Sequence, residues 1–287
     1  MNARFDLAVI GGGPAGAATA IRAARAGASV VVVEKGEHGR DKICGDGLTP
    51  RAVQALDELE IPLDDAHLVD GLRMIAGKRE RELPWSDGDR FPAHGAVWPR
   101  RRLDAALIDA AADAGADVRF GAEGEPVFAD DGQVTGIRVG ADTIDAALVV
   151  AATGAPGKVA RMLGAERDPN EPYGLAIRTY VESPRHADRL IEACLTVKDE
   201  HGTWVPGYGW MFPCGDGTVN IGVGALSTMK GFKSLNLSHL LDSHRALVRE
   251  TWGIGANLER PRAWRLPMSA IKRHGRGWVA IGDAAGL

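Results

Sequence analysis

The sequence predicts an α/β fold in which a parallel-sheet domain is interrupted by an inserted antiparallel β-sheet domain. Three observations lead to this prediction. An apolar strand at residues 5–10 runs directly into a glycine-rich turn and an alanine-rich helix. A second strand pattern, followed by Gly-Asp-Ala-Ala-Gly, comes much later, at residues 278–286. Between these segments, residues 165–275 are rich in short strand patterns bounded by turn residues.

The first strand, turn and helix carry the pattern of a Rossmann-like dinucleotide-binding unit. In the turn, Gly11 permits the tight bend, Gly13 lets the backbone approach a pyrophosphate and Gly16 lets helix and strand pack closely. The helix N-terminus offers backbone N–H groups to the phosphates. The next strand, residues 29–33, ends in Glu34, whose carboxylate can accept hydrogen bonds from ribose hydroxyls and would repel a 2′-phosphate. The pattern disfavours NADP and leaves NAD and FAD open.

The late strand, residues 278–281, distinguishes between NAD and FAD as the predicted cofactor. An NAD enzyme usually completes its nucleotide domain in one continuous run of βα units, whereas here Gly282 and Asp283 follow a strand near the end of the sequence. This segment resembles the distal motif of FAD-dependent oxidoreductases of the para-hydroxybenzoate hydroxylase and glutathione reductase type. The resemblance implies that Asp283 binds the ribityl chain and that the following helix points its N-terminus at the flavin phosphates. The predicted cofactor is therefore FAD.

Composition is that of a globular enzyme. The chain has 287 residues, 45% of them hydrophobic, and a net charge of −4, so nucleic acid is not an expected partner. No signal peptide and no run of about 18 uncharged apolar residues is found, which favours a cytoplasmic protein without a spanning helix. Three cysteines cannot all pair, as expected for a reducing compartment.

The strand and helix patterns divide the chain into three segments. Residues 1–164 form the first part of the FAD-binding domain, residues 165–275 form a β-rich substrate domain, and residues 276–287 form a return strand with the start of the distal motif. Local patterns predict helices at 50–59 and 100–114. They also predict a strand at 117–120, a hairpin of 125–129 with 134–139, and a buried strand at 147–151.

Two further motifs point to one family among the FAD-dependent oxidoreductases. The segments KICGDGL at 42–48 and YGWMFP at 208–213, together with the flanking FAD motifs, resemble the geranylgeranyl reductase family, which includes bacterial reductases of the isoprenoid tail of menaquinone. The resemblance implies an FAD-dependent oxidoreductase that reduces C=C bonds of a polyprenyl chain, either a menaquinone tail or a geranylgeranyl group. Members of the family continue past the Gly-Asp motif, so the chain is expected to stop short of the family's full length.

In this family the cysteine of the first motif, here Cys44, lies near the flavin and the substrate, and glycine at position 45 lets the backbone approach a flat ligand. From the general behaviour of cysteine alone, Cys44 would be a small buried residue beside a turn. Cys194 is interpreted as a core residue and Cys214 as a hairpin residue.

The second motif predicts an aromatic surface. As a strand, it places Tyr208, Trp210 and Phe212 on one face. With a two-residue turn in Gly215–Gly217, the returning strand would add Val219, Ile221 and Val223 to that face, and Gly222 and Gly224 would lie opposite. Such an apolar wall suits a hydrocarbon chain; the alternative is an ordinary sheet core.

In the family, an arginine four residues before an Asp contacts FAD, and here that position is Arg100. The segment Thr153-Gly154-Ala155 replaces the Asp-Gly motif of the hydroxylases, so a hydroxylase role that depends on that Asp is in doubt. Two sets of site residues follow. The predicted catalytic residues are Cys44, Tyr208 and Trp210. The predicted cofactor-binding residues are Gly11, Gly13, Pro14, Ala15, Gly16, Glu34, Lys35, Cys44, Gly45, Arg100, Gly154, Gly282 and Asp283.

An isolated alkene has no carbonyl to stabilise an enolate, so the expected reduction pairs a hydride from the flavin with a proton delivered to the other carbon in a dry site. Cys44 or a water near Tyr208 is the candidate proton source. A polyprenyl lipid substrate implies peripheral contact with the inner face of the membrane, and the electron donor is unidentified. The rival interpretations are a flavin-dependent monooxygenase or halogenase of the same fold, and an inactive FAD-binding fragment. No metal site is predicted.

Overall fold

The computed structural model describes residues 4–86, 88, 90–155, 157–165, 168–199 and 201–286. Pro156, which follows the Thr153-Gly154-Ala155 segment, and Leu287, which follows Gly-Asp-Ala-Ala-Gly, lie outside the described residues. Backbone contacts divide the chain into two compact units. The first unit comprises Met1–Asp41, Arg101–Pro172 and Leu266–Leu287, and the second comprises Lys42–Arg100 and Tyr173–Arg265.

The described strands, in chain order, are β1 (Phe5–Ile10), β2 (Val30–Glu34), β3 (Gly47–Leu48), β4 (His67–Val69), β5 (Gly71–Ala76), β6 (Arg79–Pro84), β7 (Gly95–Val97), β8 (Asp117–Phe120), β9 (Gly124–Phe128), β10 (Val134–Val139), β11 (Asp142–Ala151), β12 (Tyr173–Glu182), β13 (Leu190–Cys194), β14 (Gly207–Pro213), β15 (Thr218–Leu226), β16 (Arg262–Pro267), β17 (His274–Gly275) and β18 (Trp278–Ala280). The described α-helices are α1 (Pro14–Arg25), α2 (Pro50–Asp57), α3 (Arg100–Asp113), α4 (Lys158–Leu163) and α5 (Leu237–Trp252). Short 3-10 turns lie at Phe232–Ser234 and Gly282–Ala285. Among the described residues, no helix is both long enough and apolar enough to cross a bilayer.

The sheet of the first unit has the order β17-β18-β11-β1-β2-β8, and the strands from β18 to β8 run parallel. Ile10 at the end of β1 pairs with Ala151 of β11 on one side and with Val33 of β2 on the other. The carboxyl ends of these three strands therefore meet at one edge, where ligands bind in open parallel sheets. This arrangement confirms the predicted α/β class.

Burial on both faces explains the composition of the central strands. Val31 and Val32 of β2 are fully buried, as expected for a parallel sheet covered on both sides. Helix α1 packs its small residues inward, with Gly16, Ala17, Ala20 and Ile21 buried.

The second unit is built on a sheet of order β16-β12-β15-β14-β13-β5-β6. Apolar side chains from β14 and β15 pack with α5 in one core, which contains Met211, Ile221, Val223, Leu240 and Trp252. A small separate sheet, β3-β7-β4, carries the strand that follows the Cys44 segment.

Two expectations about the inserted domain need correction. The sheet is not wholly antiparallel, because β13 pairs with β5 in parallel, with Leu190 opposite Gly71. Residues 42–100 belong to the second unit, although the sequence division placed them in the first FAD-binding part, 1–164. The physical reason is this long-range strand pairing, which joins segments that no local pattern connects.

Candidate functional site

The glycine turn of the first unit packs as its sequence requires. Gly11 has a φ of +107°, and a Cβ there would lie 2.4 Å from the carbonyl oxygen of Ala152. A Cβ on Gly16 would lie 1.9 Å from the carbonyl oxygen of Gly11, so only glycine lets helix α1 come this close to the turn. Gly13 caps α1 without a side-chain hydrogen bond, and the nearest atom to a Cβ there would be 3.6 Å away. A Cβ at Gly13 would make only an ordinary van der Waals contact, with Arg40 Nη2, whereas Cβ atoms on Gly11 and Gly16 would collide with backbone atoms.

Glu34 is an ionised carboxylate at the end of β2. It is 5% exposed and accepts hydrogen bonds from the backbone N–H groups of Gly12 and Gly36, both at 2.8 Å. Arg40 Nε lies 3.1 Å from Glu34 Oε1. Burial acts to raise the pKa of Glu34, but the hydrogen bonds from Arg40, Gly36 and Gly12 outweigh it and lower this pKa. Sequence reasoning missed Arg40, which shares the carboxylate predicted to receive the ribose.

The distal motif meets the first turn of α1 within this unit. Gly282 has a φ of +59°, and a Cβ there would lie 3.0 Å from the Cβ of Ala15. Asp283 is half-buried in the 3-10 turn that follows β18. The structure therefore brings the two predicted halves of the cofactor site together, although they are far apart in sequence.

The end of β11 adds an observation that supports a bound cofactor. The hydroxyl oxygen of Thr153 is buried and, among the described residues, has no hydrogen-bond partner. Gly154 beside it has a φ of +71°, and nothing lies within 4 Å of where its Cβ would be. Buried hydroxyls normally have partners, so a ligand group fits here. Together with Gly13 and Glu34, these residues fit a dinucleotide.

The other predicted cofactor contacts are placed as follows. Pro14 occupies the first turn of α1, and Lys35 is exposed directly after β2. Arg100 is the first residue of α3, and its backbone N–H donates to Asp46 Oδ1 at 3.2 Å. The contact of the Arg100 guanidinium with FAD remains a prediction. Among the described residues, no group of three or more His, Cys, Asp or Glu side chains could hold a metal ion.

In the second unit, the segment after Lys42 folds around a buried acid that the sequence analysis did not single out. Asp46 is 1% exposed and has a φ of +67°, which is uncommon outside glycine. Its carboxylate accepts hydrogen bonds from the Tyr180 hydroxyl and, at 2.8 Å, from Asn220 Nδ2. Burial raises the pKa of Asp46, while these hydrogen bonds oppose the rise. Cys44 is half-buried, and its Sγ accepts the N–H of Asp46 at 3.4 Å.

The hairpin of β14 and β15 differs from the prediction in its turn. Gly207 pairs with Ala225 and Pro213 with Val219, which leaves three loop residues, Gly215, Asp216 and Gly217, beyond the pair Cys214 and Thr218. A two-residue turn was expected. One extra loop residue shifts the register by one and reverses which residues share a face.

The aromatic face is therefore extended by different residues from those predicted. Trp210 lies opposite Gly222, Phe212 opposite Asn220 and Tyr208 opposite Gly224. The residues predicted to extend the wall lie on the other face, in the core with α5: Val219, Ile221 and Val223.

Most of the aromatic face is covered. A Cβ on Gly45 or Gly47 would lie 3.1 or 2.9 Å from Phe212 Cε2, so the Cys44–Gly47 segment contacts the Phe212 ring directly. Trp210 is only 5% exposed, whereas Tyr208 is 45% exposed. The predicted open wall is thus reduced to Tyr208 and its surroundings. Burial raises the pKa of the Tyr208 hydroxyl, and the nearby Cys44 thiol raises it further.

Cys194 and Cys214, interpreted as structural, are free and buried. Cys194 lies in β13, with its Sγ 3.2 Å from Thr196 Oγ1. Cys214 lies at the hairpin end, where burial raises the pKa of its thiol to about 12. Neither has the surroundings of a reactive thiol.

The sequence offered one signal for the missed residues. Asn220 interrupts the apolar strand β15, and a polar side chain in such a strand needs buried partners. Two of the partners of its side chain, the Cys44 carbonyl and Asp46, lie 176 and 174 positions away and could not be identified locally.

The fold and the first-unit site define an FAD-dependent oxidoreductase. A sequence model of the family described as FAD binding domain matches residues 4–215. The menaquinone reductase of Mycolicibacterium smegmatis is 41% identical over 291 residues, covering 99% of this chain and 71% of that protein. The chain belongs to the geranylgeranyl reductase family of FAD-dependent oxidoreductases, with FAD as its cofactor, as predicted.

Solved structures agree with this fold. A geranylgeranyl bacteriochlorophyll reductase-like protein from Thermoplasma acidophilum superimposes with a TM-score of 0.79 at 26% identity, covering 99% of this chain and 72% of that one. A flavin-dependent brominase superimposes with a TM-score of 0.80 at 20% identity, covering 99% of this chain and 72% of that one. At that identity, the likeness to the brominase indicates a common fold only.

Proposed function

We propose that this oxidoreductase reduces C=C double bonds in the polyprenyl chain of a lipid, using reduced FAD. Menaquinone and geranylgeranyl bacteriochlorophyll, the compounds in the names of two similar proteins, both carry a polyprenyl chain. The likeness to a halogenase is confined to the fold, so the monooxygenase and halogenase alternative has less support.

The observation that carries the proposal is the setting of Tyr208. Its ring is exposed at the end of an aromatic row, with ring centroids 5.8 Å apart between Tyr208 and Trp210 and 6.2 Å apart between Trp210 and Phe212. Gly224 opposite Tyr208 leaves the neighbouring strand without a side chain at this position of the face. An apolar chain can lie against such a surface, because aromatic rings bury much area with few polar groups.

The thiol of Cys44 and a water near Tyr208 are the candidate proton sources. Tyr208 keeps its proton at neutral pH, and its raised pKa makes the hydroxyl a weaker acid, so we assign it the role of holding a water that passes on the proton. When bound, FAD supplies the hydride, and the residues of this chain exclude water, orient the alkene and supply the proton.

We further propose that the protein contacts the inner face of the membrane peripherally, because its substrate would be a membrane lipid. Polyprenyl chains partition into the bilayer, so the enzyme must reach them there. The electron donor that reduces the FAD would be a separate partner.

Anaerobic turnover tests the function. Purified protein, reconstituted with FAD and reduced with dithionite, is incubated with menaquinone or with geranylgeranyl diphosphate in detergent. Air oxidation first returns the quinone ring, which dithionite also reduces by two hydrogen atoms, to its starting state; mass spectrometry should then detect two added hydrogen atoms per reduced bond of the chain. Tyr208→Phe keeps the ring but removes the hydroxyl, and it should slow reduction while retaining the lipid. Free reduced FAD is the control. A flavin-loaded protein that leaves both lipids unchanged would contradict the proposal.

A further inference from the structure

Asn220 is a buried polar residue in the middle of β15. It has no exposed surface, and its flanking residues Val219 and Ile221 are core side chains. The strand pairings place Asn220 between Tyr180 of β12 and Phe212 of β14, on the aromatic face. A buried amide must satisfy its polar atoms or lose stability, so its hydrogen bonds indicate why it lies there.

The carboxamide of Asn220 makes three hydrogen bonds to two separate parts of the second unit, β14 and the Cys44–Asp46 segment. Its Oδ1 accepts the indole Nε1–H of Trp210 at 2.9 Å. Its Nδ2 donates to the carbonyl oxygen of Cys44 at 2.9 Å and to Asp46 Oδ2 at 2.8 Å. Both amide protons and the amide oxygen are therefore used.

These partners allow a single orientation of the amide. A flipped Asn220 would place its NH₂ group against the Trp210 indole N–H, donor against donor. It would also place its oxygen against the carbonyl of Cys44, acceptor against acceptor. Asn220 can thus hold the Trp210 ring and the Cys44 backbone in only one relative arrangement.

Asp46 secures the other side of the same segment. The Tyr180 hydroxyl and the Arg100 N–H also donate to its carboxylate, and Asp46 keeps the left-handed backbone conformation noted above. Such a conformation persists when its surroundings impose it. Asn220 and Asp46 together fix the segment that carries Cys44 against β14 and β15.

We propose that Asn220 is a positioning residue for alkene reduction: it holds the indole of Trp210 and the Cys44–Gly47 segment in the arrangement that catalysis needs. This inference rests on the proposed function, because it assumes that the substrate reacts beside Cys44. A residue that serves stability alone would affect the amount of folded protein and leave turnover per folded molecule unchanged.

Two substitutions separate the hydrogen bonds of Asn220. Asn220→Leu has a similar size and removes all three bonds. Asn220→Asp keeps an acceptor for Trp210, removes the donor to the Cys44 carbonyl and sets a second carboxyl group against Asp46, where the two acids repel each other or share one proton. Asn257 is exposed in the same unit, and Asn257→Leu is the matched control.

The positions of the two groups are measured directly. In protein labelled with ¹⁵N-tryptophan, the indole signal of Trp210 is identified by its loss in Trp210→Phe. Hydrogen exchange of the peptide covering residues 42–48 reports the segment. Asn220→Leu should shift the indole signal and speed exchange at least about tenfold, whereas Asn220→Asp should speed exchange and leave the indole signal near its original position.

Kinetics completes the test. Both variants should lower kcat at least about tenfold with KM changed less than about threefold, since misplacement of reacting groups affects the chemical step most. An unchanged indole signal and unchanged exchange, or an unchanged kcat per folded molecule, would overturn the inference.

If Asn220→Leu does not fold, Asn220→Asp carries the test alone. If the wild-type protein reduces no polyprenyl lipid, the proposed function fails, while the spectroscopic and exchange measurements still test whether Asn220 holds the two groups.

Discussion

The ring of Trp210 lies directly over Gly222 of the neighbouring strand. A Cβ on Gly222 would come 2.2 Å from Trp210 Cζ2, so any larger residue would collide with the indole. This contact exists because the two residues are directly paired across β14 and β15. It explains how a bulky ring can lie flat on a sheet face and still leave its Nε1–H directed at Asn220.

We expect Gly222→Ala to destabilise the protein by about 1–3 kcal/mol, the usual cost of overpacking. The added methyl would collide with the Trp210 ring and would lie 2.5 Å from the carbonyl oxygen of Ile177. Gly224→Ala is the matched control, because nothing would lie closer than 3.5 Å to its methyl group. Urea unfolding of both variants measures the difference. Equal stabilities would show that the indole moves aside without cost.

Glu34→Ala is expected to weaken FAD binding by about 1.5–3 kcal/mol, the cost of losing a charge-assisted hydrogen bond. The substitution also removes the acceptor for the Gly12 N–H and the partner of Arg40, so the glycine turn loses support. Fluorescence titration of the apoprotein with FAD gives the affinity. The exposed Glu37 lies in the same segment, and Glu37→Ala should bind FAD normally. Micromolar binding of NADP⁺ by the wild type would contradict the assignment of this site.

His244 should make stability depend on pH. The side chain is 1% exposed in α5, and burial lowers its pKa from 6.5 to about 4. The unfolded chain therefore takes up a proton before the folded one does. The stability contributed by neutral His244 is complete above pH 6.5 and is lost as the pH falls towards 4.

The loss approaches roughly 3 kcal/mol over this pH range. In urea unfolding between these pH values, His244→Leu should remove this part of the pH dependence. The exposed His274 provides the control, since His274→Leu should keep the wild-type profile. Parallel profiles for wild type and His244→Leu would mean that folding does not lower the pKa of His244.

Cys44→Ser tests the thiol with little change in size. We expect FAD binding and melting temperature to stay close to those of the wild type, and alkene reduction to fall at least ~10-fold, or about 1.4 kcal/mol of barrier. Cys194→Ser makes the same chemical change at a buried residue of β13 and should lower stability without changing turnover per folded molecule. Full turnover by Cys44→Ser would mean that Cys44 has a structural role and takes no part in the reaction.

Local sequence patterns were sufficient for much of the nucleotide-binding fold. The bounds of β1, β8 and β10 match the predicted ones, and α3 ends one residue before its predicted end. These elements follow from apolar periodicity and glycine positions, both of which act over a few residues. The family resemblance added FAD and the polyprenyl substrate class, because the motifs around Cys44 and Trp210 are specific.

The arrangement of the second unit was decided by tertiary structure. Sequence could not choose between a two-residue and a three-residue turn at Gly215–Gly217, and that single residue decides whether Gly222 or Ile221 faces Trp210. Nor could it reveal that β5 joins β13 in parallel.

Asn220 and Asp46 illustrate the same limit at the level of the site. Asp46 is ordinary in its local sequence and Asn220 only interrupts an apolar strand, while their roles come from contacts between segments 174 positions apart. The sequence by itself predicted the first half of the cofactor site, Gly13 and Glu34, because that chemistry is local to one turn and one strand end. Only the folded chain determined which polar groups are buried together, because burial depends on packing between distant segments.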